Sequence, residues 1–114
     1  MNEFIQITEE NFNQQVLASE QPVLLEFGAP WCSPCRRLEP LLIQLVSEEW
    51  RGKIRLAKAD VDDCPNLVLR HSVMTVPTLV LYIGSQPVQQ MTGFQGRGKI
   101  LEKFDPFLSN PPAV

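Results

Sequence analysis

Two short apolar runs constrain the fold of this chain most. One covers residues 23–27, between Pro22 and Gly28, and the other covers residues 78–82. An apolar run of this length, bounded by turn residues, is typical of a strand that a sheet buries on both faces. Such a strand needs helices packed above and below it, so we expect helical segments between the strands.

The rest of the chain alternates between helix and strand signals. Thr8 can cap a helix that runs to about residue 19, and the acidic residues after it suit the first turn of that helix. From Cys32 onward, leucines and Val46 recur at three- and four-residue spacing, which predicts a helix kinked at Pro40. The remaining predicted elements are strands at residues 4–7, 53–60 and 88–92, a short helix within 62–69, a turn at 84–87 and a final helix at 98–108.

This order of elements predicts an α/β fold with a mixed sheet. Alternating strands and helices indicate a parallel βαβ core, and the two closely spaced last strands indicate a hairpin at one edge. A chain of 114 residues is about one domain in length. We therefore expect a single domain at residues 1–108, followed by a flexible tail at residues 109–114.

Charge and apolar content argue against several classes of function. The formal net charge is −3, whereas nucleic-acid-binding proteins usually carry a basic surface. No apolar stretch approaches the roughly 20 residues that span a membrane. The first residues have neither the basic start nor the apolar core of a secretory signal. We expect a cytoplasmic protein without nucleic-acid or membrane partners, or one of an organelle stroma if a transit sequence has been removed.

The chemistry is expected at Cys32 and Cys35, which follow a buried strand at the start of a predicted helix. Unpaired backbone N–H groups and the positive end of the helix dipole stabilise a thiolate on Cys32. Cys35 lies about one turn inward, where its thiol can displace a partner that Cys32 has captured. Pro34 suits the first turn of such a helix. This arrangement predicts thiol–disulfide exchange.

Three alternatives to redox chemistry remain. The chain has 3 cysteines, so a fully paired disulfide framework within one chain is excluded. A zinc site could use Cys32, Cys35, Cys64 and His71, but a second close pair of ligands is missing, so no metal is expected. The cysteine pair could also form a structural disulfide without turnover, or be two inert core thiols.

The segment Trp31-Cys32-Ser33-Pro34-Cys35 belongs to a longer pattern. Phe27-Gly28-Ala29-Pro30 precedes it, and residues 36–40, 58–62, Val76-Pro77-Thr78 and Gly93 continue it. From about Phe4 to Leu108, this pattern resembles the thioredoxin family. The resemblance implies a thioredoxin fold, with a central mixed five-stranded sheet flanked by four helices. It also implies an enzyme that reduces protein disulfides by dithiol–disulfide exchange through a mixed-disulfide intermediate.

Partners and cofactors also follow from the resemblance. It implies no bound cofactor beyond a redox-active Cys32–Cys35 disulfide, and a monomer that takes electrons from a flavin- or ferredoxin-dependent thioredoxin reductase. The alternative is a redox-inactive binding module or scaffold subunit with the same fold. The presence of both cysteines argues against that alternative, because a scaffold does not need the pair.

The resemblance assigns further site residues. Pro77, if its peptide bond is cis, lies opposite the two sulfurs, although a trans proline at the start of a strand suits the sequence as well. The backbone of Val76 is expected to pair with a substrate strand. Trp31 could instead pack in the core, and Gly93 could mark a bulge. The substrate-docking residues expected around Cys32 are Trp31, Ser33, Pro34, Val76, Pro77, Thr92, Gly93 and Phe94.

Glu26 is the most informative polar residue, because it interrupts an apolar strand where the family usually has aspartate. Strand alternation places it on the same face as Leu24, opposite Leu25 and Phe27. Burying a carboxylate costs several kcal/mol unless it is paired or protonated. We expect a raised pKa for Glu26 and proton exchange with Cys35, with Lys58 nearby moderating its charge. The alternative is a solvated glutamate at a sheet edge.

Four positions need separate expectations. Ser33 replaces the glycine usual in the family, and Gly28 stands where an aromatic residue is common. Cys64 is expected to be a small residue ahead of a short helix, with a regulatory thiol as the alternative. His71 is expected on the surface of that helix.

Overall fold

Both apolar runs form inner strands of a single sheet in the computed structural model, which describes residues 3–109. The strands in this range are β1 (Phe4–Ile7), β2 (Val23–Gly28), β3 (Arg55–Asp60), β4 (Thr78–Ile83) and β5 (Gln86–Thr92). Their order across the sheet is β1-β3-β2-β4-β5. β3 pairs in parallel with β1 and β2, whereas β4 is antiparallel to β2 and β5 to β4. The predicted mixed five-stranded sheet is confirmed.

Four helices flank this sheet in the described part of the chain, as predicted. They are a π-helix (Asn13–Leu17), α1 (Ser33–Glu48), α2 (Pro65–Arg70) and α3 (Arg97–Ser109). Helix α1 continues through Pro40. Within residues 3–109, none of the helices combines the length and the apolar character that crossing a bilayer requires.

The predicted cap at Thr8 is confirmed by its hydrogen bonds with Asn11, although the regular π-helix is shorter than the predicted helix and covers only Asn13–Leu17. The backbone N–H of Asn11 donates to Thr8 Oγ1 at 3.1 Å, and the N–H of Thr8 donates to Asn11 Oδ1 at 2.8 Å. This reciprocal pair, in which residues three apart bond each other's backbone N–H, is the capping arrangement of a helix start. The N–H of Phe12 donates to the carbonyl of Thr8 at 3.1 Å, so a helical turn begins at the predicted cap and leads into the π-helix.

Two boundaries near the C-terminus also differ from the prediction. Strand β5 begins at Gln86 rather than residue 88, and Pro87 lies within it. Because β5 is an edge strand, a residue without an N–H can be accommodated there. Ser109, predicted to start the tail, is the last residue of α3. The rest of that predicted tail, residues 110–114, lies outside the described residues.

The sheet buries one hydrophobic core on each face. The core beneath α1 and α3 contains, among others, Leu24, Leu38, Leu42, Leu79, Leu81, Ile100 and Phe104. The core beneath the π-helix and α2 contains, among others, Phe12, Val16, Leu25, Phe27, Leu67, Val80 and Tyr82. Alternation along β2 therefore directs Leu24 to the α1 face and Leu25 and Phe27 to the opposite face, as predicted.

His71 lies in the core beneath α2, so the prediction of a surface residue is wrong. Its ring packs against that of Phe27, with the two centroids 5.0 Å apart. Nδ1 donates to the carbonyl of Leu67 at 2.8 Å, which leaves Nε2 to accept a hydrogen bond from the hydroxyl of Tyr82. Burial lowers the pKa of His71, because the charged ring loses its hydration. Both partners of this buried ring are therefore internal.

Replacing Tyr82 with phenylalanine is expected to destabilise the protein by about 1–2 kcal/mol. The variant keeps the buried ring but leaves Nε2 of His71 without its donor, and an unsatisfied buried polar group costs free energy. Denaturant unfolding of wild type and Tyr82→Phe measures this loss. Equal free energies of unfolding for the two proteins would show that the hydrogen bond does not stabilise the fold.

Candidate active site

Cys32 and Cys35 lie at the junction where the chain leaves β2 and enters α1. Cys32 is the N-cap residue of α1, with an extended backbone at φ −91° and ψ 104°. The backbone N–H of Cys35 donates to Cys32 Sγ at 3.2 Å. The two sulfurs form a disulfide, and the two Cα atoms are 5.3 Å apart. The sulfur of Cys32 thus occupies the position where helix N–H groups and the helix dipole stabilise a negative charge.

The two cysteines differ in access more than in burial. Cys32 is only 4% exposed and Cys35 is 1% exposed, so the outer cysteine is less exposed than its motif suggested. Cys32 nevertheless lines a surface groove of about 660 Å³, and Cys35 does not. A partner sulfur can therefore approach Cys32 through this groove, hereafter the docking groove.

The docking groove is lined both by predicted residues and by residues that sequence reasoning missed. Trp31, Ser33, Pro34 and Val76 line it together with Cys32, as the predicted docking surface requires. The missed residues of its lining are Val61, Val68, Val73, Met74 and Thr75. In the sequence, the hint of this apolar surface was Met74, two residues before Val76, since methionine adapts well to apolar partners. The structure leaves Met74 exposed.

Trp31 stands at the edge of the docking groove with 65% of its surface exposed, so the alternative of core packing is wrong. Its indole Nε1–H donates to Asp62 Oδ2 at 2.9 Å. This hydrogen bond holds the ring beside the disulfide. An exposed aromatic ring with one fixed polar contact suits binding of an apolar partner.

The peptide bond between Val76 and Pro77 is cis, so the trans alternative is wrong. The backbone N–H of Gly93 donates to the carbonyl of Pro77 at 2.7 Å. Gly93 has a φ of +83°, in the left-handed region that favours glycine. The end of β5 is therefore attached to the Val76–Pro77 segment through backbone atoms.

Thr92, Gly93 and Phe94 are also predicted docking residues, but they lie outside the lining of the docking groove. Thr92 is the register partner of Thr78 at the end of β5. The partly exposed ring of Phe94 carries the guanidinium of Arg37 at 5.2 Å from its centroid. These three residues therefore border the site through Pro77, Thr78 and Arg37 rather than through the groove itself.

Glu26 is 0% exposed, so the alternative of a solvated edge glutamate is wrong. No described group meets either carboxyl oxygen in good hydrogen-bond geometry, although Glu39 comes close. Burial is the main cause that raises the pKa of Glu26, to about 9. The negative charge of Glu39 adds to the rise, and Lys58 acts in the opposite direction. The side chain is therefore a neutral carboxylic acid at neutral pH.

Gly28 brings this acid and the inner sulfur close together. A Cβ at this position would lie 3.2 Å from Cys35 Sγ and 3.2 Å from Glu26 Oε2. The backbone of Gly28 is outside the left-handed region, so glycine is needed here for space rather than for conformation. The small residue that departs from the family pattern thus lets Glu26 and Cys35 share one confined region.

Lys58 faces Glu26 in the sheet register but forms its ion pair elsewhere. The two residues are direct partners across β2 and β3. Lys58 Nζ lies 3.4 Å from Glu39 Oε1 instead. Sequence reasoning missed Glu39, whose signal was its position four residues after Cys35, on the same face of α1.

Cys64 is buried at the N-cap of α2, with its Sγ 3.7 Å from the carbonyl oxygen of Ile7. Burial first, and then nearby acids including Glu9 and Asp63, raise the pKa of the Cys64 thiol. A buried thiol with a raised pKa is a poor redox sensor, which argues against the regulatory alternative. The structure instead fits the expectation of a small residue ahead of a short helix.

The zinc alternative finds no ligand cluster in the described residues. Between residues 3 and 109, no three side chains of histidine, cysteine, aspartate or glutamate are grouped to hold a metal. Cys32 and Cys35 share a disulfide, and both ring nitrogens of His71 already have partners. The four proposed zinc ligands therefore serve other contacts.

Comparisons with known proteins agree with this geometry. The thioredoxin family model matches residues 3–105. Thioredoxin 1 of Nostoc sp. is 36% identical over 93 residues, which cover 82% of this chain and 86% of that protein. The chloroplastic thioredoxin M5 of Oryza sativa is 32% identical over 110 residues, covering 96% of this chain and 63% of that protein.

The name of one longer relative includes a second activity. The bifunctional thioredoxin reductase/thioredoxin of Mycobacterium leprae is 36% identical over 106 residues. The match covers 93% of this chain but only 23% of that protein, so this chain corresponds to a small part of it. With the fold, the cysteine pair at the start of α1 and the family match in agreement, the chain belongs to the thioredoxin family of thiol–disulfide oxidoreductases.

Proposed function

We propose that this protein reduces disulfide bonds in other proteins, with Cys32 as the nucleophile and Cys35 as the resolving thiol. The observation that carries the proposal is the Cys32–Cys35 disulfide at the N-terminus of α1, with the capped sulfur of Cys32 facing the docking groove. A sulfur in this position is both stabilised as an anion and open to a partner.

The reaction proceeds in two exchanges. The thiolate of Cys32 attacks one sulfur of a substrate disulfide, forms a mixed disulfide and releases the other substrate sulfur as a thiolate. The thiolate of Cys35 then attacks Cys32 Sγ, which breaks the mixed disulfide and releases the second substrate sulfur. The substrate gains two electrons and the protein loses two, so the reaction ends with the Cys32–Cys35 disulfide described above.

Glu26 is proposed to lose its own proton to water first and then to take the proton of Cys35 before the second exchange. The space beside Gly28 supports this role, because Glu26 Oε2 and Cys35 Sγ both border it, each 3.2 Å from where a Cβ on Gly28 would lie. The pKa of about 9 means that Glu26 retains this proton in the oxidised protein. Lys58 is proposed to stabilise the ionised form of Glu26, since its charge lowers that pKa.

Substrates are proposed to bind as extended segments along the docking groove. Trp31, Ser33, Pro34 and Val76 line the groove and supply an apolar surface next to Cys32. The backbone of Val76, ahead of cis-Pro77, is proposed to pair with the substrate strand. Thr92, Gly93 and Phe94 are proposed to extend this surface, with the Gly93–Pro77 hydrogen bond as support.

Electrons are proposed to come from a thioredoxin reductase that depends on flavin or ferredoxin. The name of the Mycobacterium leprae relative supports a reductase as partner, because it combines both activities. The protein itself is proposed to act as a monomer, with its own disulfide as the redox group. A cytoplasmic or stromal location is proposed, and the chloroplastic rice relative supports the second of these.

A thiol count under single-turnover conditions tests the proposed function. Reduced protein is mixed with an equimolar disulfide-bonded protein, and free thiols are counted in each partner after rapid acid quenching. We expect this chain to lose two of its 3 thiols and the substrate to gain two. A Cys64→Ser variant is the matched control and is expected to start with two thiols and lose both at the same rate. A complex that forms without any change in thiol count would refute the proposal and favour a binding module.

A further inference from the structure

A second pocket borders the segment that leads from β2 to the cysteine pair. Its volume is about 390 Å³, and none of its lining residues belongs to the lining of the groove. The residues that matter here are Glu26, Gly28, Glu39 and Lys58, which all line it. The buried acid therefore shares one pocket with the charged side chains of Glu39 and Lys58.

Lys58 is the cation that faces Glu26 in the sheet register, yet its ion pair is with another residue. The two are register partners on adjacent strands, so their Cα atoms lie side by side and their side chains emerge on the same face. The Lys58 ammonium nevertheless lies 3.4 Å from Glu39 Oε1, and neither oxygen of Glu26 has a hydrogen bond in good geometry, although Glu39 comes close. Glu39 thus competes with Glu26 for one cation.

The three side chains also differ in depth: Glu26 lies in the interior, and the Lys58–Glu39 ion pair lies nearer to solvent. Glu26 is fully buried, whereas the side chains of Lys58 and Glu39 are 32% and 24% exposed. A flexible lysine at the mouth of the pocket can move between the outer and the inner carboxylate by rotation of its side chain. The outer carboxylate therefore influences how much positive charge the inner one receives.

The other residues around Glu26 do not form an ion pair with it. On β4, its register partner is the apolar Leu79. Arg36 of α1 also lines the pocket, but its guanidinium donates to the carbonyl of Pro30. Asp60 of β3 accepts the backbone N–H of Asp62 at 2.9 Å. Glu39 and Lys58 are thus the two charges that act on Glu26.

We propose that Glu39 is a positioning residue for the reaction, which holds Lys58 away from Glu26 and thereby keeps Glu26 protonated until Cys35 must be activated. The inference rests on the proposed role of Glu26 as proton acceptor. When Glu26 ionises, Lys58 leaves Glu39 and turns inward to the new carboxylate. No bond other than hydrogen bonds and the ion pair changes in this step, and the proton of Glu26 leaves to water through the pocket.

Two variants with opposite expected effects test the proposal. Glu39→Gln removes the competing charge, so the pH midpoint of Glu26 titration is expected to fall by about one unit or more. Lys58→Met removes the counter-charge, so the midpoint is expected to rise. Glu48→Gln is the matched control, because this acid lies on the same helix but pairs with Arg97, and it is expected to leave the midpoint unchanged.

Each titration is measured in the oxidised protein by infrared or carbon-13 NMR signals assigned through Glu26→Gln. The double variant Glu39→Gln/Lys58→Met, compared with Lys58→Met alone, is expected to show a smaller shift than Glu39→Gln causes in wild type. An equal shift in both backgrounds, or no shift from Glu39→Gln, overturns the proposal.

The pH profile of the second exchange is measured in parallel and is expected to move with each titration midpoint. If the midpoint moves while this profile stays fixed, the role of Glu26 as proton acceptor fails. The effect of Glu39 on Glu26 then stands by itself, so the two proposals can be separated.

Discussion

A Cys35→Ser variant is expected to attack one substrate disulfide and then remain covalently attached to that substrate. Cys32 keeps its helix N-terminal position and its access to the docking groove, so the first exchange is retained. The second exchange needs a thiolate at position 35, and a serine hydroxyl at neutral pH cannot replace it. Multiple turnover is expected to fall by more than about a thousandfold, a scale typical of losing one member of a catalytic pair.

The adduct distinguishes the two cysteines from one another. Mass spectrometry of Cys35→Ser after incubation with a disulfide-bonded protein is expected to show the mass of both partners, and dithiothreitol is expected to release them. Cys32→Ser is expected to lose turnover to the same extent without forming an adduct, because Cys35 is buried and does not line the groove. An adduct on Cys32→Ser but not on Cys35→Ser would reverse the assigned roles.

Replacing Glu26 with glutamine is expected to stabilise the oxidised protein by about 3 kcal/mol at pH 7. The pKa of Glu26 is raised from 4.5 to about 9 by folding, mainly because the carboxylate loses its hydration on burial. Below pH 4.5 the acid is protonated in both states and contributes no pH dependence. Between pH 4.5 and 9 the unfolded chain releases the proton and the folded protein keeps it, so stability falls as pH rises. Each pH unit in this window costs about 1.4 kcal/mol.

Urea unfolding of oxidised wild type and Glu26→Gln at several pH values measures this effect. The two free energies of unfolding are expected to be similar near pH 4.5 and to diverge steadily up to about pH 9. Glu48→Gln, which changes a partly exposed acid on α1, is expected to show a constant difference from wild type over the same range. A constant difference for Glu26→Gln as well would mean that Glu26 is ionised in the folded protein.

The reaction and the stability effect have one cause. The same burial that makes Glu26 costly at neutral pH makes it a base strong enough to take a proton from a thiol. Activity and stability are therefore expected to move in opposite directions when Glu26 is replaced by glutamine. Loss of stability in exchange for activity is common at sites where a group is held in an energetically unfavourable state that its chemistry requires.

Local sequence information predicted most of the framework. The apolar runs at residues 23–27 and 78–82 became β2 and β4, because a short apolar segment between turn residues has few other stable environments. The spacing of Leu38, Leu42 and Leu45 predicted the buried face of α1. The boundary errors arose at element ends, since β5 begins at Gln86 rather than residue 88 and α3 continues to Ser109.

By itself, the sequence determined the strand and helix order, the position of Cys32 at a helix N-terminus and the face on which Glu26 lies, because these depend on neighbours within one or two turns. Only the tertiary structure decided the cis bond before Pro77, the burial of His71 against Tyr82 and the pairing of Lys58 with Glu39 rather than Glu26. Each of these joins residues from separate elements or depends on their packing, and alternatives close in free energy are separated by contacts that no local pattern contains.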